Sequence, residues 1–268
     1  MTQPHAGELE KWLAAAEEAA LKAGEVLTRW RGNFRVQEKG RSDLVTDADL
    51  AAQQCVRELL TSRFPTHGFL GEEEKTPSAR PAKDSPPTWI IDPLDGTTNY
   101  VHDFPMYCVS IGLQVEGEMV VGVVYDPTRN ELFRAAHGQG AWLNERRLKT
   151  SETPTLDQAL LTTGFPPDMR GQERQLNWWR FFSLHAQSVR RTGSTALNLA
   201  YLAAGRFDGF WAFDNHVWDV AAGVVLLRES GGTISAIDGS KYDPFAPAAL
   251  ASNGPLHAAL LEAFRTGP

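Results

Sequence analysis

At 268 residues the chain is long enough for one large or two small domains. A composition of 42% hydrophobic, 10% aromatic and 22% charged residues is that of a globular protein, and it excludes collagen, coiled-coil and disulfide-framework readings. The net charge of −7 argues against a broadly basic nucleic-acid surface and requires a local source of positive charge for any anionic substrate.

Leu9, Trp12, Leu13, Ala16, Ala20, Ala23, Leu27 and Trp30 recur at spacings of three and four, which predicts one amphipathic helix over 9–30, stopped by Gly32. Thr46-Asp47-Ala48-Asp49 is a capping-box-like start with acids in the first turn, so a second helix is predicted from there to about Phe64. Pro77, Pro81, Pro86 and Pro87 make residues 75–88 a surface loop. β-rich runs follow at Trp89–Ile91, Met106–Val115, Met119–Tyr125 and Glu131–Ala136, with Glu116-Gly117 as a hairpin turn. Beyond residue 150 the pattern alternates: a strand over 159–165, helices over 173–184 and 195–204, a strand over 207–213 and a helix over 219–229. The chain therefore divides near residue 150, with helices and an antiparallel sheet in 1–150 and an alternating α/β half in 151–268. Cys55 and Cys108 lie in apolar segments without metal-ligand spacing and read as buried free thiols of a reducing compartment. Met1-Thr2-Gln3-Pro4 opens without a basic-then-apolar signal and no stretch has the length of a spanning helix, so a cytoplasmic location without a membrane partner is expected.

The most informative segment is Trp89-Ile-Ile-Asp92-Pro-Leu-Asp95-Gly-Thr97-Thr98-Asn99, a strand running into two acids that bracket a proline. Proline fixes one φ angle and Asp-Gly favours a tight turn, so the acids are either a solvated turn or a placed pair beside free backbone amides and hydroxyls. Phe69-Leu-Gly71-Glu72-Glu73-Glu74 ends an apolar run in acids, which sets Glu72 at the edge of a core and leaves Glu73 and Glu74 as a solvated charge run. Asp219 opens an almost uncharged helix, where it is either the N-cap or a ligand. Glu72, Asp92, Asp95 and Asp219 together offer hard oxygen donors with no His or Cys at metal spacing, a set that selects Mg²⁺ or Mn²⁺ over Zn²⁺. His102, His137 and His216 have no partners at catalytic spacing and read as structural or surface residues. Trp211, Trp218, Phe207, Phe210 and Phe213 read as core or pocket wall, for no basic residues interleave them.

Asp92-Pro-Leu-Asp95-Gly-Thr97-Thr-Asn99-Tyr-Val-His-Asp-Phe-Pro105 with Val109-Ser-Ile111 resembles the first signature of the inositol monophosphatase family, and Trp218-Asp219-Val-Ala-Ala-Gly223 through Glu229-Ser-Gly-Gly232 resembles its second. Gly71-Glu72-Glu73, and Lys39 with Ser42-Asp43-Leu-Val-Thr46-Asp-Ala-Asp49, match two further blocks in order. The resemblance implies a five-layer αβαβα sandwich and a Mg²⁺-dependent, lithium-sensitive phosphatase, a homodimer, acting on a small phosphorylated polyol or sugar and not on nucleic acid. By the same resemblance Glu72, Asp92, Asp95, Asp219 and the carbonyl of Leu94 would hold two to three Mg²⁺ ions, with Mn²⁺ as a substitute. Glu72 and Thr97 would position and deprotonate the attacking water, with Asp49 hydrogen-bonded to Thr97. Asp95 would also contact the substrate, the Gly96 and Thr97 amides would hold its phosphate, and Gly193, Ser194 and Thr195 would contact substrate hydroxyls. Lys39, in the polar segment Glu38–Ser42, is either an exposed lysine or part of a loop over the site.

The expected reaction is hydrolysis of myo-inositol 1-phosphate by metal-activated water. Histidinol-phosphate phosphatase, fructose 1,6-bisphosphatase and a broad sugar-phosphate phosphatase share the mechanism. A regulatory binding protein that keeps the fold without chemistry is the reading from another class, and the intact carboxylates and Thr97 stand against it. One departure weakens the inositol expectation: where many inositol-phosphate-hydrolysing members have a substrate-binding glutamate, this chain has Ala212. Asp214, expected on the same strand face, is the candidate replacement.

Overall fold

The computed structural model describes residues 5–74 and 80–268. Helix α1 (Ala6–Trp30) is followed by β1 (Val36–Gly40), β2 (Asp43–Thr46), α2 (Asp47–Arg63), β3 (Gly68–Gly71) and β4 (Thr88–Asp95). Short helix α3 (Thr97–Val101) precedes β5 (Cys108–Val115), β6 (Glu118–Asp126), β7 (Glu131–Ala136), β8 (Ala141–Leu143) and β9 (Arg146–Arg147). Then come β10 (Leu160–Thr163), α4 (Glu173–His185), β11 (Ser188–Arg190), α5 (Thr195–Ala203), β12 (Gly209–Ala212), α6 (Val217–Glu229), β13 (Thr233–Ser235), β14 (Ala249–Ser252) and α7 (His257–Thr266).

The apolar stripe of α1 buries Leu9, Trp12, Leu13, Leu27 and a run of alanines, and Thr46 caps α2 through a reciprocal box with Asp49. Both helices cover one face of a seven-stranded sheet of order β3-β4-β5-β6-β7-β8-β9, parallel only between β3 and β4. Strand alternation sorts its residues. Trp89 and Ile91 of β4 and Val109, Ile111 and Leu113 of β5 meet α1 and α2, while Ile90 of β4 and Cys108 of β5 point to the opposite face.

On that opposite face lie α5 and α6. Helix α6 is nearly uncharged because it is enclosed all round, and fully buried Leu226 and Leu227 each contribute about 1.5–3 kcal/mol by leaving water. It sits close to the sheet because Gly112 and Gly122, paired across β5 and β6, lack side chains. A Cβ on Gly122 would lie 2.4 Å from the Ala222 carbonyl oxygen, and one on Gly112 would lie 2.6 Å from Ala221 Cβ. Beyond α5 and α6 is a five-stranded sheet of order β11-β10-β12-β14-β13, whose outer face packs Trp211 against Trp178 and Phe182 of α4 and, with Leu260 of α7, closes a separate core. Five αβαβα layers result. The first sheet is built from residues 68–147 and the second from 160–252, and one hydrophobic cluster runs through both, from Ile90 and Val124 to Phe210 and Leu226.

Several expectations need correction. The polar segment around Lys39 is a β1–β2 hairpin, with β1 exposed throughout and so without an alternating signal to read. Strands β3, β8, β9, β11, β13 and β14 and helices α3 and α7 went unread. Cys55 is half-buried on α2, not fully buried, whereas Cys108 is buried, and both thiols are free. In the proline-rich segment, residues 80–87 form no helix or strand, as expected, while Pro77 and the opening Met1–Pro4 lie outside the described residues.

Candidate active site

Four elements converge where the two sheets face each other. Strand β4 alternates up to Asp92, whose even position directs it to the α6 side, and Pro93 then interrupts the ladder, so that the pairing with β5 slips between Asp92 and Asp95. Asp92 Oδ1 accepts the Leu94 N–H at 3.0 Å, which fixes the turn. Asp95 reaches the neighbouring helix of the same layer: its Oδ2 accepts Ser194 Oγ at 2.7 Å and the Ala196 N–H at 2.5 Å, tying the turn to the start of α5. Glu72 leaves the end of β3 with its N–H on the Ile91 carbonyl at 3.1 Å. Asp219 lies in the first turn of α6, where Oδ2 accepts the His216 N–H at 2.7 Å. His216 is therefore the N-cap residue and Asp219 the N3 member of the capping box, pointing into the site.

Asp49 occupies the same N3 position in α2. Its Oδ2 accepts the Thr46 N–H at 2.9 Å and the Thr46 hydroxyl at 2.5 Å, while Oδ1 accepts Thr97 Oγ1 at 3.1 Å. The Thr97 hydroxyl stands equally close to the Leu94 carbonyl, at 3.1 Å. Gly96 and Thr97 begin α3, where backbone N–H groups have no carbonyl one turn back.

Lys39 reaches from the hairpin into this cluster, with Nζ 2.7 Å from Glu72 Oε1 and 2.8 Å from Glu73 Oε1. Burial opposes the Lys39 charge, but the two glutamates outweigh it and hold the ammonium above its ordinary range. Glu73 and Glu74 are thus not a solvated run. The Glu73 side chain is only 5% exposed, and Glu74 pairs with Arg57 and accepts from Gln53. Burial and the adjacent Glu72 push the Glu73 carboxyl up.

Electrostatically the site is overloaded with negative charge. Burial, and then Glu72, Asp95 and Asp219, push the Asp92 carboxyl well above the carboxylate range. Burial with Asp95 and Glu72 does the same to Asp219. Asp95 is raised by burial despite its Ser194 hydrogen bond, and burial takes Asp49 up to about 7 against its bonds to Thr46. Lys39 alone cannot balance these acids. A hard dication can, and the all-oxygen donor set fits Mg²⁺. Among the described residues no three donors already converge at metal spacing, because Glu72 turns to Lys39 and Asp95 and Asp219 turn to backbone amides.

Two adjoining cavities of 330 and 410 Å³ open over these groups and share Asp43, Glu72, Phe165, Pro167, Arg191 and Gly193. Gly193 is held at φ +85°, and a Cβ there would lie 2.8 Å from Asn99 Nδ2, which in turn donates to the Thr192 carbonyl at 2.9 Å. Thr195 lines the first cavity. The Ser194 hydroxyl is committed to Asp95 and to the Leu197 N–H as the cap of α5. Strand β12 ends at Ala212, so Asp214 reaches the cavity from the bend beyond it rather than by alternation. His216, read as structural or surface, stacks on Trp218 at 4.8 Å and lines the cavity, while His102 and His137 lie on the surface. Arg191, Asn215 and Phe165 also line it and were missed, for each lies in a loop without periodicity.

A cluster of buried acids that calls for dications, beside free amides suited to an anion, makes this five-layer fold a metal-dependent phosphatase. Comparison with known proteins agrees. The profile of the inositol monophosphatase family matches residues 8–267. An inositol-1-monophosphatase of Synechocystis sp. is 45% identical over 265 residues, covering 97% of this chain and 91% of the relative. A solved inositol monophosphatase from Anabaena (Nostoc) sp. superposes with TM-score 0.86 at 40% identity over 98% of each chain. The extragenic suppressor protein suhB of Bartonella henselae gives TM-score 0.90 at 37% identity, over 96% of this chain and all of the other. The chain belongs to the inositol monophosphatase family, which is Mg²⁺-dependent, and is a phosphoric monoester hydrolase. Among the described residues, no helix is long and apolar enough to cross a membrane.

Proposed function

We propose that the chain hydrolyses myo-inositol 1-phosphate to inositol and phosphate, and that Glu72, Asp92, Asp95, Asp219 and the Leu94 carbonyl hold two to three Mg²⁺ ions, replaceable by Mn²⁺. When bound, the ions lower the pKa of water and neutralise charge on the phosphoryl group and leaving oxygen. The chain's own groups do the rest. The Gly96 and Thr97 amides hold phosphate oxygens in place at the start of α3. Thr97 Oγ1, fixed against Asp49 Oδ1, orients the attacking water, and a Glu72 oxygen accepts its proton. Gly193 and Thr195 face the leaving alcohol. Lys39 neutralises Glu72 and Glu73 from the hairpin, a counter-charge that bound dications would supply to Glu72 in its place. The observation that carries this reading is the Asp49–Thr97–Leu94 arrangement at 3.1 Å contacts beside buried Asp92 and Asp95 and half-buried Asp219, none of which has a cationic partner among the described residues.

A second anionic group on the substrate is the one alternative with an observation behind it. Arg191 lines both cavities, stacks over Phe165 at 4.9 Å and forms no ion pair among the described residues, which suits a bisphosphate such as fructose 1,6-bisphosphate. The test is phosphate release by purified protein with Mg²⁺ or Mn²⁺ from inositol 1-phosphate, histidinol phosphate and fructose 1,6-bisphosphate. The highest kcat/KM is expected for inositol 1-phosphate. Preference for another ester moves the substrate and keeps the mechanism, whereas no release from any revives a binding protein without chemistry. The reading includes a cytoplasmic homodimer: the free thiols support a reducing compartment, and light scattering tests the dimer.

A further inference from the structure

Beside the acids, three side chains border one small space over Gly164, the residue that follows β10. A methyl group placed on Gly164 would stand 3.0 Å from Thr195 Oγ1, 3.5 Å from Ala212 Cβ and 3.8 Å from Asn215 Oδ1. Gly164, Thr195 and Asn215 line the cavity that also contains Glu72, Asp95 and Asp219. A ligand group resting on Gly164 therefore meets a hydroxyl, a methyl and a carboxamide within reach of the acidic cluster.

Asn215 is the unusual member. It is 7% exposed, and its backbone N–H is anchored on the Pro247 carbonyl at 2.8 Å. Its Nδ2 is closed off from solvent and has no partner among the described residues, and its Oδ1, without a hydrogen bond among them, is the end that borders the space over Gly164. Other side chains carry such an atom, including Trp89, Trp211 and Tyr242, but Asn215 is the one that lines this cavity. A largely buried carboxamide oxygen without a partner gains from a donor, and a ligand in this space can supply one. The chemistry of that ligand group follows from the amide. The end that faces the space is a carboxamide oxygen, an acceptor, which matches an alcohol O–H as donor. A second phosphate offers acceptors only and is answered at the rim by Arg191.

We propose that Asn215 is a specificity-determining residue whose carboxamide hydrogen-bonds a hydroxyl of the leaving polyol in the subsite over Gly164, beside the Thr195 hydroxyl. Resting on the phosphatase reading above, this assigns to the loop after β12 the recognition that Ala212 cannot supply. Its consequence is selective: esters with hydroxyls near the phosphate gain from Asn215, and flat aryl esters do not.

The test uses the Mg²⁺-loaded full chain and its Asn215→Leu variant, which keeps the side-chain volume and removes both polar ends. The readout is kcat/KM for inositol 1-phosphate relative to p-nitrophenyl phosphate. The ratio is expected to fall about tenfold, the worth of one well-made neutral hydrogen bond, with the loss mainly in KM. An unchanged ratio overturns the proposal and leaves the phosphatase reading intact. If Asn215→Leu misfolds, as a melting curve would reveal, Asn215→Ala is measured in its place, and an equal loss on both esters overturns the proposal. A wild-type chain that hydrolyses both esters without preferring inositol 1-phosphate sinks this proposal and the polyol substrate together, while a chain that hydrolyses neither sinks the phosphatase reading itself.

Discussion

Replacing Asp92 by asparagine should move two measurements in opposite directions. The carboxyl is 2% exposed, faces Glu72, Asp95 and Asp219, and is raised by burial first and those neighbours second. Each unit by which burial lifts a carboxyl above its unfolded value penalises the folded, ionised form by about 1.4 kcal/mol. The carboxamide of the Asp92→Asn variant would shed that penalty and still offer an oxygen to the Leu94 N–H, so in EDTA at pH 8 the variant should melt higher than wild type. The advantage should shrink as pH falls to about 4 and vanish below it, because the folded carboxyl is already neutral there and the unfolded one becomes protonated as pH drops through its ordinary value. With Mg²⁺ the order reverses. At 100 times Kd a dication adds about 2.7 kcal/mol, or about 5–10 °C in Tm for a chain of this size. A variant whose Mg²⁺ affinity has fallen by about a hundredfold loses most of that shift. Turnover should drop by three orders of magnitude or more, because charge stabilisation worth several kcal/mol goes with the ligand. Differential scanning fluorimetry with EDTA and with Mg²⁺, together with phosphate release, reads all of these. A variant with a wild-type Mg²⁺ shift and wild-type turnover would show that Asp92 holds no metal.

Gly122→Ala should destabilise the chain by about 3 kcal/mol, measured by urea unfolding, because its Cβ would fall 2.4 Å from the Ala222 carbonyl and must push α6, with Asp219, off the sheet. A loss below about 0.5 kcal/mol would mean that α6 is not seated as closely as described. In metal-free protein, stability should fall as pH rises from about 4 to 7. Asp49 is neutral when folded and charged when unfolded in that window, so the unfolded state holds fewer protons, and a shift from 3.8 to about 7 corresponds to up to about 4 kcal/mol. Asp49→Asn should flatten that slope in urea titrations with EDTA, and an unaltered slope would assign the pH dependence to other groups.

Elements with a local signature were legible in the sequence. The stripe of α1, the capping box of α2 and the alternation of β5 and β6 are each written within a few consecutive residues, and the structure returns them with ends shifted by a few positions. The β1–β2 hairpin was illegible because β1 is exposed at every position and offers no alternation. Glu73 shows the same limit at the site. Three consecutive glutamates read as a solvated run, and only the arrival of Lys39 from the hairpin and of Gln53 from α2 buries the middle one. Asn215 was passed over for a related reason: an unpaired amide is defined by the absence of partners, which no sequence window can show.

The acids of the site illustrate why composition alone left an either-or that geometry dissolves. A carboxylate has two oxygens, and in this fold one can serve the helix while the other serves the chemistry. Asp219 caps α6 through Oδ2 on the His216 N–H, and Asp49 caps α2 through Oδ2 on Thr46 while its Oδ1 holds the Thr97 hydroxyl. Asking whether Asp219 is a cap or a ligand therefore sets apart two roles that one side chain can fill together. The capping bond also removes rotamer freedom before any cation arrives, so the free oxygen is aimed by the same interaction that starts the helix. Aspartate is the residue that achieves this at N3 with the shortest reach. A glutamate could still close the box but would carry its second oxygen one methylene further, away from the position that β4 and α6 define together.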